Sequence, residues 1–207
     1  MAITEPVSKV NLERITNGIF AFTMTLLARN ILMPDTGSIT DVLTFVRYFV
    51  TMFSSVIDFV GVFIILAMFW MLFFQMFHRM KSYDYHFLHV HMLALMAIVV
   101  LPFTSAFTAL SVTFPYADLF FQANYLVLGM ILLYLWHYAR SNPALLDPAL
   151  TDRDATFLSR KCLVPPAVAL VGIIMVVSGM PYLDLLYFLP FIILAIFFKD
   201  TPVEPAG

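Results

Sequence analysis

The sequence has few of the residues that soluble domains, redox sites and nucleic-acid surfaces depend on. Charged residues make up only 12% of its 207 positions, against about 25% in soluble proteins. Cys162 is the single cysteine, which excludes an intrachain disulfide and a cluster of thiolate metal ligands. The net charge is −2 and the basic residues are scattered, so no basic stripe for nucleic acid is present. These shortages exclude a large soluble domain, thiol redox chemistry and nucleic-acid binding.

Enzyme motifs are missing as well. The sequence has no nucleophile elbow, phosphate-binding glycine loop, HExxH motif or pair of intramembrane carboxylates. We therefore expect no catalytic residues and no cofactor.

Histidines are clustered in one stretch of the chain. His78, His86, His89 and His91 fall within fourteen residues, and His86 and His89 have the i, i+3 spacing that lets two side chains bind one metal ion. Asp84 is the only acidic residue beside them. We expect no metal site there, and pH sensing is the better interpretation of the cluster.

Long apolar stretches fill most of the chain. Hydrophobic residues reach 62% and the mean hydropathy is +0.93, and an apolar helix of about 20 residues crosses a bilayer core. We predict an all-α, polytopic membrane protein in which residues 1–207 form one domain. Its six transmembrane helices are expected at about 15–33, 58–77, 87–109, 119–139, 163–180 and 182–198.

Two stretches leave the helix boundaries open. Residues 41–80 contain no proline and one glycine, which allows one very long helix or two half-length ones, and we prefer the single helix. Pro102 is expected to kink the third span. Pro165 and Pro166 are expected in the first turn of the fifth span, where proline is tolerated, after a long polar connection.

The basic residues indicate the orientation in the membrane. With six spans, nine of the eleven Lys and Arg residues lie on the side of the two termini, and the positive-inside rule places that side in the cytoplasm. Glu5 and Glu13 precede the first apolar run without a cleavage pattern, which argues against a removed signal peptide. We expect a multi-pass protein of the cell membrane with both termini cytoplasmic.

The first helix carries its small, polar and charged residues on one stripe. Gly18, Phe22, Thr25 or Leu26, and Arg29 recur at steps of three and four. An arginine facing lipid near mid-membrane is costly, so this stripe is expected to face a protein interior or an aqueous path. We interpret the first helix as the one that lines the functional cavity of the protein.

Individual residues of this helix allow more than one interpretation. Thr16, Asn17 and Gly18 suit either an N-cap or a hydrogen-bonded contact with a neighbouring helix. Phe22, Leu26 and Arg29 suit ordinary packing, or rings around an axis where several copies of the helix meet. Arg29 either pairs with Asp35 or Asp58 or faces the pore.

Three segments together resemble the prokaryotic transmembrane protein 175 family, relatives of the lysosomal potassium channel. Ile15, Thr16, Asn17 and Gly18 stand where that family has Phe-Ser-Asp-Gly, and the match continues through Ile19–Phe22 and Thr25–Leu27. In the second span Val62, Phe63 and Trp70 match, and in the third Leu101, Pro102, Phe103 and Thr104 match. The resemblance covers all six spans and the loop pattern.

The resemblance implies a homotetrameric potassium-permeable cation channel in the lipid bilayer, with four first helices lining a central pore. Phe22, Leu26 and Arg29 would then form the constriction, and Thr25 would correspond to the threonine associated with selectivity. Selectivity would come from hydrophobic rings and hydroxyls rather than backbone carbonyls.

The sequence also departs from the family pattern. Asn11 replaces the family's arginine, Asn17 its aspartate, and Phe73 and Phe74 its paired histidines. A ring of four Arg29 guanidinium groups would favour anions. The alternative is therefore a non-conducting or anion-binding membrane transporter or scaffold.

Overall fold

The protein is represented by a computed structural model that describes residues 9–31, 40–110, 113–180 and 186–197. Within these residues there are six α-helices, which we number in chain order. They are α1 (Lys9–Leu27), α2 (Val42–His78), α3 (Tyr85–Ala106), α4 (Asp118–Ser141), α5 (Asp152–Val177) and α6 (Leu189–Phe197). Helices α2 to α5 are long and apolar enough to cross a membrane, in agreement with the predicted all-α fold.

The stretch with two possible helix assignments forms a single helix, α2, of 37 residues. Its first turn is capped by Asp41, whose Oδ1 accepts a hydrogen bond from the backbone N–H of Thr44 at 2.6 Å. The same backbone bond lowers the pKa of Asp41, so the cap is charged at neutral pH. At about 1.5 Å per residue, α2 is roughly 55 Å long, well beyond the roughly 30 Å of a bilayer core. None of its residues 42–57 is buried within the chain.

Helix α5 begins earlier than predicted. It starts at Asp152, so the prediction of a polar connection up to residue 161, with Pro165 and Pro166 in the first turn, was wrong. The Thr151 hydroxyl accepts a hydrogen bond from the Asp154 N–H at 3.1 Å, and two aspartates occupy the first turn. Such a cap and acidic first turn stabilise a helix start.

One of the two prolines inside α5 packs directly against a glycine of the neighbouring helix α4. Gly129 of α4 faces Pro166, and a Cβ built on this glycine would lie 2.9 Å from the Pro166 nitrogen. The two helix backbones therefore approach at a distance that a side chain would prevent.

Parts of the first and sixth predicted spans lie outside the described residues. Helix α1 ends at Leu27 and continues as a 3₁₀ turn, Ala28–Asn30, while the predicted end of the first span at residue 33 lies outside the described residues. Of the predicted sixth span, residues 186–197 are described and include α6.

The helices surround one apolar core, with α4 between α3 and α5 and with α1 on α2 and α3. Its largest fully buried side chains include Phe69, Phe73, Phe121, Tyr125 and Trp136. The indole of Trp136 in α4 donates a hydrogen bond to Ser159 Oγ of α5 at 2.9 Å. Because α1 lies at one side of this core, the described residues cover only one of its faces.

Two loops at one end of the bundle are joined by backbone hydrogen bonds. The Lys81 N–H donates to the Leu145 carbonyl at 2.8 Å, and the Asp147 N–H donates to the Arg79 carbonyl at 3.0 Å. The loop between α2 and α3 and the loop between α4 and α5 therefore form one layer at this end.

Candidate functional site

Helix α1 has two opposite faces. The buried face consists of Leu12, Thr16, Phe20, Thr23 and Leu27. On the other side of the helix Gly18, Phe22, Thr25 and Arg29 are all exposed, and Leu26 is half-buried at the edge. Phe22 has 60% of its surface exposed. The stripe predicted from spacing is thus the face of α1, continued by Arg29 in the following 3₁₀ turn, that the described residues leave uncovered.

Thr16 joins α1 to α3 inside the core. Its hydroxyl donates to the Leu12 carbonyl at 2.8 Å and lies 2.8 Å from Nε2 of His91, which is fully buried. Because a hydroxyl has one proton to give, we assign the proton of the second bond to His91 Nε2. The imidazole packs edge-on against Phe73 and Phe77.

Asn17 joins α1 to α2. Its Oδ1 accepts a hydrogen bond from the indole N–H of Trp70 at 2.8 Å. Because α1 begins at Lys9, Thr16 and Asn17 lie in the helix interior, so the N-cap interpretation was wrong. A Cβ on Gly18 would have no neighbour within 4 Å from the part of the chain that the structure describes, its own helix turn aside.

The first turn of α1 is held by the loop that follows α2. The Lys9 ammonium donates to the Met80 carbonyl at 2.8 Å and lies 3.9 Å from the Glu13 carboxylate. Burial raises the pKa of the neighbouring Tyr83 phenol, and the Glu13 charge adds to that shift. Tyr83 therefore stays neutral at the base of α1.

Thr25 presents an acceptor to the exposed side. Its hydroxyl donates to the Phe22 carbonyl one turn earlier at 2.7 Å. With that proton engaged, the oxygen keeps its lone pairs as hydrogen-bond acceptors. The exposed face of α1 therefore offers an oxygen acceptor within one turn of Phe22.

Arg29 lines a cavity of about 270 Å³ between the C-terminal ends of α1 and α3 and the middle of α2. Asp58 of α2 lines the same cavity, whereas Asp35, the other predicted partner, lies outside the described residues. Next to Arg29, the Asn30 amide donates to the Pro102 carbonyl at 2.9 Å and to Ser105 Oγ at 3.0 Å. These bonds fix the end of α1 on the proline-containing turn of α3.

The four clustered histidines have separate environments. His91 is in the core, His86 Nε2 lies 2.9 Å from the Tyr134 hydroxyl, and His89 Nδ1 lies 2.6 Å from the Tyr85 carbonyl. The imidazole of His78 stacks on a phenylalanine ring. Among the residues that the structure describes, no three metal-ligating side chains come together.

Sequence reasoning missed the partners that hold α1 in place. The sequence pattern does not pair Trp70 with Asn17 or His91 with Thr16. A partial signal for His91 exists, because a histidine at i+4 from Phe87 lies on the apolar face of α3. The sequence contains no comparable signal for Asn30.

This fold, with long apolar helices around one core and a polar-lined face left open on α1, is that of a polytopic α-helical membrane protein. Residues 11–102, slightly under half of the chain, match the family model described as the endosomal/lysosomal potassium channel TMEM175. The resemblance to this family inferred from the residues is confirmed by that match.

The fold is shared with a solved membrane protein. The chain is similar to the crystal structure of a lysosomal potassium-selective channel TMEM175 homolog from Chamaesiphon minutus, with a TM-score of 0.73 and 21% sequence identity. The similarity covers 92% of this chain and 95% of that one. No curated protein sequence matches this chain.

Proposed function

We propose that this protein is a potassium-permeable cation channel in which the α1 helices of four subunits surround a central pore. The observation that supports this most directly is the open face of α1, which carries Gly18, Phe22, Thr25 and Arg29 and has no partner within the described chain. The family match and the shared fold with a potassium-selective channel support the same function.

In this proposal Phe22 and Leu26 form an apolar constriction. Rings of large apolar side chains exclude water from a narrow pore and so control ion passage. Phe22 is the more exposed of the two residues, so it contributes more to the constriction. The Thr25 hydroxyl lies on the same exposed face and offers an oxygen ligand to a cation that has lost part of its hydration shell.

Arg29 is the residue that distinguishes a cation channel from the alternative function, an anion-binding transporter or a non-conducting scaffold. Its position in one cavity with Asp58 supports a role in which the carboxylate offsets the guanidinium charge and cations can pass. If Arg29 instead acts as an uncompensated positive ring, the protein is an anion-binding transporter or a non-conducting scaffold. Its exposure on the same face as Phe22 is the observation in favour of that second function.

Passive ion flux distinguishes these functions. We expect purified protein in liposomes to carry a potassium current down its gradient, and Phe22→Ala to raise that flux several-fold because the constriction widens. Phe120→Ala on α4 is a matched control, since Phe120 is 59% exposed and Phe22 is 60% exposed, and this variant should conduct like the parent.

Two results would contradict the channel. One is anion flux without potassium flux in every ionic condition. The other is a particle that contains a single subunit, or an assembly in which the α1 helices face the lipid.

A further inference from the structure

Asn30 joins the end of α1 to α3 by two hydrogen bonds. It is the last residue of the 3₁₀ turn after α1, and its side-chain amide donates to the Pro102 carbonyl at 2.9 Å and to Ser105 Oγ at 3.0 Å. The Ser105 hydroxyl in turn donates to the same Pro102 carbonyl at 3.0 Å. A side-chain amide has two protons to give, so both donors of Asn30 are used in this contact.

The α3 side of the contact lies inside the core. Ser105 is 6% exposed, and Pro102 is buried as well. Because proline has no N–H, the turn of α3 that contains Pro102 lacks one backbone hydrogen bond, and the regular helix ends one turn later, at Ala106. Asn30 therefore bonds to a part of α3 whose own backbone bonding is incomplete, and it links the C-terminal ends of the two helices.

The geometry of the 3₁₀ turn relates Asn30 to its neighbours. With about three residues per turn, Asn30 lies on the same side as Leu27, which is buried in the core, and Arg29 points about a third of a turn away. Leu27 holds the last helical residue by apolar contact, and Asn30 holds the turn that follows. A turn that is fixed at Asn30 therefore also fixes the direction in which Arg29 leaves the backbone.

That direction matters because the Arg29 side chain is long and charged. Its backbone lies on the exposed face that carries Phe22, while its side chain lines the cavity of about 270 Å³ beside α2 and α3. In the proposed tetramer, four guanidinium groups turned toward the axis would repel cations. The direction of Arg29 thus decides between the passage of cations and of anions.

We propose that Asn30 is a positioning residue for ion selectivity. By holding the 3₁₀ turn on α3, it keeps the Arg29 guanidinium in the cavity beside α2 and α3 and out of the ion path. This inference rests on the proposed function, since it requires a pore surrounded by α1. Asn30 acts through Arg29 rather than on the ion, because both of its amide donors are already bonded to α3.

Reversal potentials of the full-length protein in planar bilayers test this role, since a gradient of potassium chloride gives the ratio of potassium to chloride permeability. Asn30→Leu keeps the approximate shape of the side chain and removes both bonds. We expect the ratio to fall at least about ten-fold, the scale for a unit charge brought within several ångströms of an ion in a narrow pore. In the Arg29→Gln background the same substitution should change the ratio little, because the charge that it releases is absent.

A second asparagine provides the matched control. Asn124 of α4 is half-buried like Asn30, and its amide donates to the Ala97 carbonyl at 3.1 Å and to Thr104 Oγ1 at 3.4 Å, both in α3. Asn124→Leu thus removes comparable bonds to α3 without changing α1, and it should leave the permeability ratio unchanged. Ser105→Ala removes one acceptor of Asn30 and should lower the ratio in the same direction, which answers the question if Asn30→Leu does not fold.

A further readout does not depend on conduction. A nitroxide spin label on Arg29→Cys reports the mobility of the 3₁₀ turn in detergent, and Cys162 is fully buried, so the label attaches at position 29. We expect Asn30→Leu to increase the mobility of the label and Asn124→Leu to leave it unchanged.

An unchanged permeability ratio in folded Asn30→Leu and Ser105→Ala variants would overturn the proposal. An equal fall in Asn124→Leu, an undiminished effect in the Arg29→Gln background, or unchanged mobility of the label would overturn it too. A parent protein without potassium flux would contradict the proposed channel instead, and the label would still show whether Asn30 holds the turn.

Discussion

Thr16 and His91 form a hydrogen bond between two helices at a place where neither side chain meets water. Thr16 is 2% exposed and His91 is fully buried. Removing the hydroxyl would leave Nε2 of His91 without this partner inside an apolar core, and an unsatisfied buried polar atom costs more than the bond itself contributes.

We therefore expect Thr16→Val, which keeps the shape of the side chain, to lower the free energy of unfolding by about 1–3 kcal/mol. The measurement is the thermal unfolding midpoint of purified protein in detergent. Thr16→Ser retains the hydroxyl and serves as the control. Equal midpoints for the Val and Ser variants would show that the bond does not stabilise the attachment of α1.

The sequence predicted the side of α1 on which Phe22, Thr25 and Arg29 lie, because side chains three and four residues apart share a helix face wherever the helix packs. It did not predict that Leu26 would be half-buried, or that His91 would bind Thr16. Both depend on how α1 is rotated against α2 and α3, and that rotation is decided by side chains far away in the chain.

Contact between α4 and α5 depends on glycine in place of a side chain. A Cβ on Gly129 would lie 2.9 Å from the Pro166 nitrogen and 3.0 Å from its Cδ. Neither atom can move without shifting a helix backbone, since both belong to a proline in the helix interior.

We expect Gly129→Ala to lower the free energy of unfolding by about 1–3 kcal/mol, the usual cost of overpacking, despite the better helix propensity of alanine. Gly18→Ala is the matched control for propensity, because among the described residues nothing beyond its own helix turn lies within 4 Å of its Cβ position. Chemical unfolding followed by Trp fluorescence reports both variants. A Gly129→Ala protein as stable as the parent would mean that α4 and α5 are less closely packed than described.

Helix starts were harder to predict than helix identity. The long helix Val42–His78 follows from the lack of proline over residues 41–80. For α5, Pro165 and Pro166 favour a start near residue 163, whereas the helix begins after its capping residue Thr151. Prolines inside a membrane helix are tolerated where neighbouring groups satisfy the freed carbonyls, and a sequence alone does not show those neighbours.

For the whole molecule, the structure brings together segments that the charge pattern assigns to one side of the membrane. The Lys9 ammonium binds the Met80 carbonyl, so the start of α1 and the end of α2 lie at the same end of the bundle. The Lys81 N–H binds the Leu145 carbonyl, which adds the loop between α4 and α5. The turn near Phe114 lies between α3 and α4, so it belongs to the opposite end.

This arrangement predicts which side of the membrane each loop faces. Cys162 is fully buried, so single cysteines can be introduced without removing it. With the termini in the cytoplasm, Phe114→Cys should react with a membrane-impermeant maleimide added outside intact cells, since Phe114 is 64% exposed. Lys81→Cys should react only after permeabilisation, and the unchanged protein, with Cys162 alone, should not react in either condition.

The reverse pattern would place the termini outside. It would require the Lys and Arg residues at this end to have crossed the bilayer, against the rule that retains basic loops in the cytoplasm. Labelling of both positions in intact cells would indicate two populations of opposite orientation.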